Sequence, residues 1–104
     1  MSSETIQQRG TIAIRRTCLA PGEVTSWHVD PFHRISVVVA GDALLIEYRD
    51  GSPAERVEVS PGEVDWEEPN QRTHRAVNVG VRPYEEITVV LLDRPGAVPQ
   101  LEAE

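Results

Sequence analysis

Turns carrying glycine or proline cut this chain at short intervals: Ala20-Pro-Gly-Glu, Gly41-Asp42, Asp50-Gly-Ser-Pro and Ser60-Pro-Gly-Glu. No amphipathic window of helical length lies between them. The intervening runs alternate in polarity or are continuously apolar over strand-sized lengths: 11–19, 24–30, 34–40, 43–49, 56–60, 64–67, 73–79 and 84–93. Eight short strands in this order predict a small antiparallel sandwich or barrel. Residues 1–10 are polar and are expected to form a flexible N-terminal segment, leaving 11–93 as a single barrel. Residues 94–104 hold two prolines and no periodicity, and a mobile C-terminal tail is expected there.

One turn is written twice. Pro21-Gly22-Glu23-Val24 recurs as Pro61-Gly62-Glu63-Val64, and each copy is followed by a Trp and then a His: Trp27 with His28, and Trp66 with His74. Two turn-strand-His units predict two halves of one barrel that face each other, with coincidence as the alternative for so short a repeat.

The stretch from Pro21 to Gly41 concentrates side chains that can hold a metal. His28 and Asp30 are two apart, so an extended strand projects both to one face. His33 and Arg34 follow a Pro-Phe corner, and because they are adjacent only one of them can point into a barrel. Other notable residues have plain readings. Trp27 and Trp66 suit wall packing, Phe32 and Tyr84 a core or dimer face, Asn78 the turn after its strand, and Cys18 a small buried position. Glu67, Glu68, Glu85 and Glu86 read as a solvated acidic rim, from which one carboxylate could reach a pocket mouth.

Composition narrows the partners. The net charge of −7 and the absence of a basic run speak against nucleic acid and against an anionic membrane surface. No apolar run approaches the roughly 20 residues that span a bilayer. Cys18 is the only cysteine, and the first residues lack a signal-peptide pattern, so a reducing cytoplasm is the expected compartment.

Two motifs then bring in a family. Gly22, His28, Asp30, Arg34 and Gly41 keep the spacing Gly-x5-His-x-His-x3-Glu-x6-Gly, with Asp30 at the second His and Arg34 at the Glu. Gly62, Pro69, Gln71, His74 and Asn78 follow Gly-x5-Pro-x-Gly-x2-His-x3-Asn, with one extra residue before Pro69 and Gln71 replacing Gly. From about Gly22 to about Leu92 the chain resembles the cupins. The resemblance implies an all-β, cupin-type double-stranded β-helix (jelly-roll) barrel, with His28, Asp30 and His74 as metal ligands inside it. Such a two-His-one-carboxylate set suits Fe(II), Mn(II), Ni(II) or Zn(II).

Arg34 pulls the other way. A guanidinium about 5 Å from a divalent ion is repelled by ~6 to 7 kcal/mol at an effective dielectric near ~20. Arg34 therefore leaves the ligand shell, or the metal is absent, or Arg34 pairs with Asp30 and leaves two neutral histidines. His33 is the alternative inward residue, as a ligand or a substrate contact. Three functions follow. The first is a metal-dependent enzyme on a small carboxylate or carbonyl compound bound by Arg34. The second is a metal-free module that binds a small anion through Arg34 and the pocket histidines. The third is an interaction role through a barrel edge, in keeping with the homodimers usual among proteins this chain resembles.

Overall fold

The two Pro-Gly-Glu copies fold alike. In a computed structural model, which describes residues 1–96, the Glu23 amide donates to the Ala20 carbonyl at 2.9 Å and the Glu63 amide to the Ser60 carbonyl at 3.1 Å. Gly22 and Gly62 have φ of 87° and 89°. Proline second and a positive-φ glycine third are what a type II turn demands. Each glutamate then reaches back to accept a hydrogen bond from the amide three residues earlier, Ala20 at 2.8 Å and Ser60 at 3.1 Å.

The turns also dock reciprocally. Nine strands are formed among the described residues: β1 Ser2–Arg9, β2 Ile12–Leu19, β3 His28–Asp30, β4 Phe32–Ala40, β5 Ala43–Tyr48, β6 Glu55–Glu58, β7 Val64–Glu67, β8 Asn70–Asn78 and β9 Tyr84–Pro95. The first turn bonds to Asn78 at the end of β8, through Gly22 N to Asn78 O at 2.8 Å and Asn78 N to Glu23 O at 3.0 Å. The second bonds to Val38 of β4 in the same pattern, at 2.7 and 2.9 Å. Likewise β3 pairs with β8 and β7 pairs with β4. Each half thus lends its short strand to the other half's sheet, and the four-residue echo marks that exchange.

Two antiparallel sheets result, ordered β1-β2-β9-β4-β7 and β3-β8-β5-β6. Leu19, Val38, Leu44 and Tyr84 are buried together at one end, with Ile46, Val59 and Ala76 packed against them. Gly41 is fixed there by its surroundings: its φ is 133°, and a Cβ would sit 2.7 Å from the Tyr84 ring. Asn78, 1 % exposed, locks the same end through three bonds. Its amide donates to the Leu19 and Arg82 carbonyls, both at 2.9 Å, and its carbonyl accepts from Gly80 N at 2.9 Å.

Three boundaries differ from those expected. Residues 2–9 are an edge strand paired with β2 rather than a loose segment, since their backbone finds partners from Cys18 down to Ile12. The strand expected from Val24 is reduced to His28–Asp30. The Ala76 amide donates to the Thr25 hydroxyl at 3.0 Å, a side chain occupying a ladder position. β9 runs on through Arg94 and Pro95, with Phe32 opposite Pro95. The rest of the tail, residues 97–104, lies outside the described residues. The described residues form no helix, and so none able to cross a membrane.

Candidate functional site

Antiparallel pairing of β3 with β8 sets His28 directly opposite His74. Their ring centroids are 4.5 Å apart. Asp30, two residues on along the same face, completes a group whose ligand atoms all lie within 4.8 Å of one another. Asp30 Oδ2 is 2.8 Å from His74 Nε2 and 3.5 Å from His28 Nε2.

The tautomers follow from the other ring nitrogens. His28 Nδ1 is 2.8 Å from the Ser26 carbonyl and His74 Nδ1 is 2.7 Å from the Arg72 carbonyl. A carbonyl only accepts, so both Nδ1 atoms carry the proton and donate. In the neutral rings both Nε2 lone pairs then face the Asp30 carboxylate. Three acceptors cannot converge at these distances without a positive charge among them, either a proton on an imidazole or a metal ion. The group fits a metal on this count, because histidine ligands ordinarily donate the far nitrogen to a carbonyl or carboxylate in this way. Electrostatics agree in direction. The hydrogen bond to Asp30 raises the His28 pKa against the opposing effect of burial. Burial pushes Asp30 up, but the bond to His28 and the charges of Arg34, His28 and His74 outweigh it and hold the carboxyl low.

Arg34, whose side chain is 15 % exposed, lies between two carboxylates: its Nη2 is 3.9 Å from Asp30 Oδ2 and 3.9 Å from Glu67 Oε1. Among the described residues its one hydrogen bond is from Nη1 to the Phe32 carbonyl at 3.3 Å, which leaves most of its donors without a hydrogen-bond partner there. His33 lies on the opposite face of β4 and is absent from the cavity wall. Its Nδ1 accepts from Trp66 Nε1 at 2.9 Å instead, so the structure gives it no contact with the site. Trp27 is likewise outside, its ring 4.3 Å from the Arg75 guanidinium and 5.7 Å from that of Arg49.

The cavity measures about 900 Å³ and is two-sided. Leu44, Ile46, Val57 and Ala76 give one wall; Arg15, Thr17, Arg34, Ser36, Glu86 and Thr88 give the other. Glu67, which sequence reasoning left on the rim together with Glu86, lines the cavity as Glu86 does. It sits opposite Arg34 in register and accepts from Ser36 Oγ at 3.1 Å. The signal was the alternation Val64-Asp65-Trp66-Glu67, which places both carboxylates on one face.

No protein-family model matches the chain, and no curated protein matches it. Solved structures do. A cupin domain protein from Bordetella pertussis Tohama I superposes with a TM-score of 0.75 at 16 % identity, over 86 % of this chain and 91 % of its own. A conserved protein with a double-stranded β-helix domain from Klebsiella pneumoniae gives 0.64 at 20 % identity, over 91 % and 76 %. Recombinant oxalate oxidase in complex with glycolate gives 0.60 at 24 % identity over 85 % of this chain, which spans only 45 % of that one. The chain is a small single barrel of the cupin-type double-stranded β-helix fold.

Proposed function

We propose that the barrel holds one divalent transition metal (Fe, Mn, Ni or Zn) on His28, Asp30 and His74, and that Arg34 binds the carboxylate of a small organic acid beside it. The observation that carries this reading is the convergence of three acceptor atoms whose neighbouring Nδ1 protons are already committed to Ser26 and Arg72. A bound ion of this class supplies Lewis acidity, and with Fe or Mn redox chemistry, to a coordinated carboxylate or carbonyl group. The chain's own residues bind and orient. Arg34 offers free donors in a fork that matches a carboxylate, Asp30 and Glu67 flank it, and the Leu44, Ile46 and Ala76 wall receives an apolar body.

The metal-free alternative draws on the direct 2.8 Å approach of His74 to Asp30, which a single proton satisfies. It is the weaker reading for an anion. The cavity is lined by Asp30, Glu55, Glu63, Asp65, Glu67 and Glu86 against Arg15 and Arg34, so an anion entering without a metal meets net negative charge.

Calorimetric titration with Mn(II) or Ni(II) in two buffers of different ionisation enthalpy tests the proposal. Binding at about one ion per chain with release of protons is expected, more at pH 6 than at pH 8, because the ion displaces the proton that Asp30 favours on the facing His28 imidazole. Absence of binding, or binding that survives His74→Ala, contradicts it.

A further inference from the structure

Two arginines line the cavity, and the carboxylate seat described above uses only one of them. Arg15 of β2 lies on the same wall as Arg34: it stands opposite Thr88, which stands opposite Ser36, two residues along β4 from Arg34. It is solvent-accessible on that wall. Its Nη2 bonds to Ser3 Oγ at 3.1 Å, and among the described residues it forms no ion pair with a carboxylate. It is also close enough to His28 for its charge to oppose protonation of that ring. Arg34 flanks the same group at Asp30, 3.9 Å away, so the two guanidinium groups approach different members of it.

We infer that the small acid is a dicarboxylate, with one carboxylate on Arg34 and the other on Arg15; this rests on the reading of Arg34 as the first carboxylate seat. Spacing sets the size. Two strand separations of ~4.8 Å and two residues of ~3.3 Å put the Cα atoms of Arg15 and Arg34 about 12 Å apart on one face. In a paired fork the guanidinium and carboxylate carbons are about 4 Å apart. Two such contacts leave roughly 4 Å between the carboxylate carbons when the side chains stand parallel, and more when they lean apart. That is the span of a diacid of about four or five carbons. Charge agrees. With the ion bound, Arg15, Arg34 and the metal outweigh Asp30 and Glu67 by two positive charges, which a dianion cancels and a monocarboxylate does not. The other carboxylates of the wall lie off the line between the arginines: Glu63 and Glu86 beside Val38 toward the closed end, and Asp65 on the edge strand β7.

Calorimetric titration of the full chain with glutarate and with pentanoate, the same five-carbon chain with and without its second carboxylate, tests it, in the presence and absence of Ni(II). Glutarate is expected to bind ~10 to 100-fold more tightly, the worth of a second charge-assisted contact, and the ratio is expected to be larger with the ion. Arg15→Gln is expected to remove that preference while far-UV circular dichroism stays that of the β-barrel. Arg56→Gln, on β6 and outside the cavity wall, is expected to keep it. Equal affinity for the two acids, binding of neither, or a preference that survives Arg15→Gln overturns the inference. Failure to bind Ni(II) counts against the metal site alone, because the preference is also read without the ion; Arg34→Gln that weakens neither acid overturns the seat on which the inference rests.

Discussion

Asn78 and His74 stand on one strand, roughly 13 Å apart, and the barrel treats them oppositely. Asn78 is closed in by Leu19, Arg82 and Gly80 so that its amide has every partner it needs from the chain. His74 is also buried, yet its Nε2 meets an acceptor and asks for a cation that no neighbouring side chain supplies except as a proton. The same contrast runs along β4, from Val38 in the core cluster to Arg34 in the cavity, and along β5, from Leu44 to Tyr48. A barrel of this size spends one end on internal satisfaction and leaves the other incomplete. The incomplete end is where a ligand gains the most.

Substitutions can break that comparison from either side. The largest expected effect is Asn78→Ala, which leaves two carbonyls and one amide without partners at the closed end and lowers stability by about 3 kcal/mol in urea unfolding. It leaves the metal content of the folded fraction unchanged. His74→Ala is expected to do the reverse, abolishing metal binding with a smaller stability loss in the metal-free protein. Equal stability losses for the two would erase the distinction. Arg34→Gln is expected to weaken binding of a small carboxylate by ~10 to 100-fold, the worth of a charge-assisted pair, with metal affinity unchanged by titration. Arg34→Glu is expected to tighten the metal and abolish carboxylate binding.

The smallest effect concerns pH. The His28 pKa is raised by its bond to Asp30, so that contribution to stability is complete below the ordinary imidazole value near ~6.5 and is lost as pH rises through the raised pKa. Asp30 is held low despite burial, so its contribution is present above ~3.9 and is lost only as pH falls through the lowered pKa. The metal-free protein should therefore melt at a slightly lower temperature at pH 8 than at pH 6. The increment from added metal should grow over the same range, as scanning calorimetry would show.

The closed end was legible because its determinants are local. Pro-Gly pairs force turns, Gly41 permits a backbone no other residue adopts without strain, and two of the three groups that Asn78 bonds, on Gly80 and Arg82, lie within four residues of it; only the Leu19 carbonyl comes from far along the chain. The open end was legible only in part. The His28, Asp30 and His74 spacing could be read because strand periodicity fixes which face a residue takes. Whether Arg34 or His33 points inward depends on register across Pro31, and Glu67 meets Arg34 only through the β4–β7 pairing, which no single segment specifies. The strand at Ser2–Arg9 escaped notice for the same reason: wholly exposed, it has no apolar period and is held by its partner's backbone.

The most direct test of the central claim is elemental analysis of untagged protein purified without chelator. About one Fe, Mn, Ni or Zn per chain is expected, falling to none in His74→Ala. No metal, even after incubation with each of these ions, would leave His74 and Asp30 bridged by a proton and contradict the metal site.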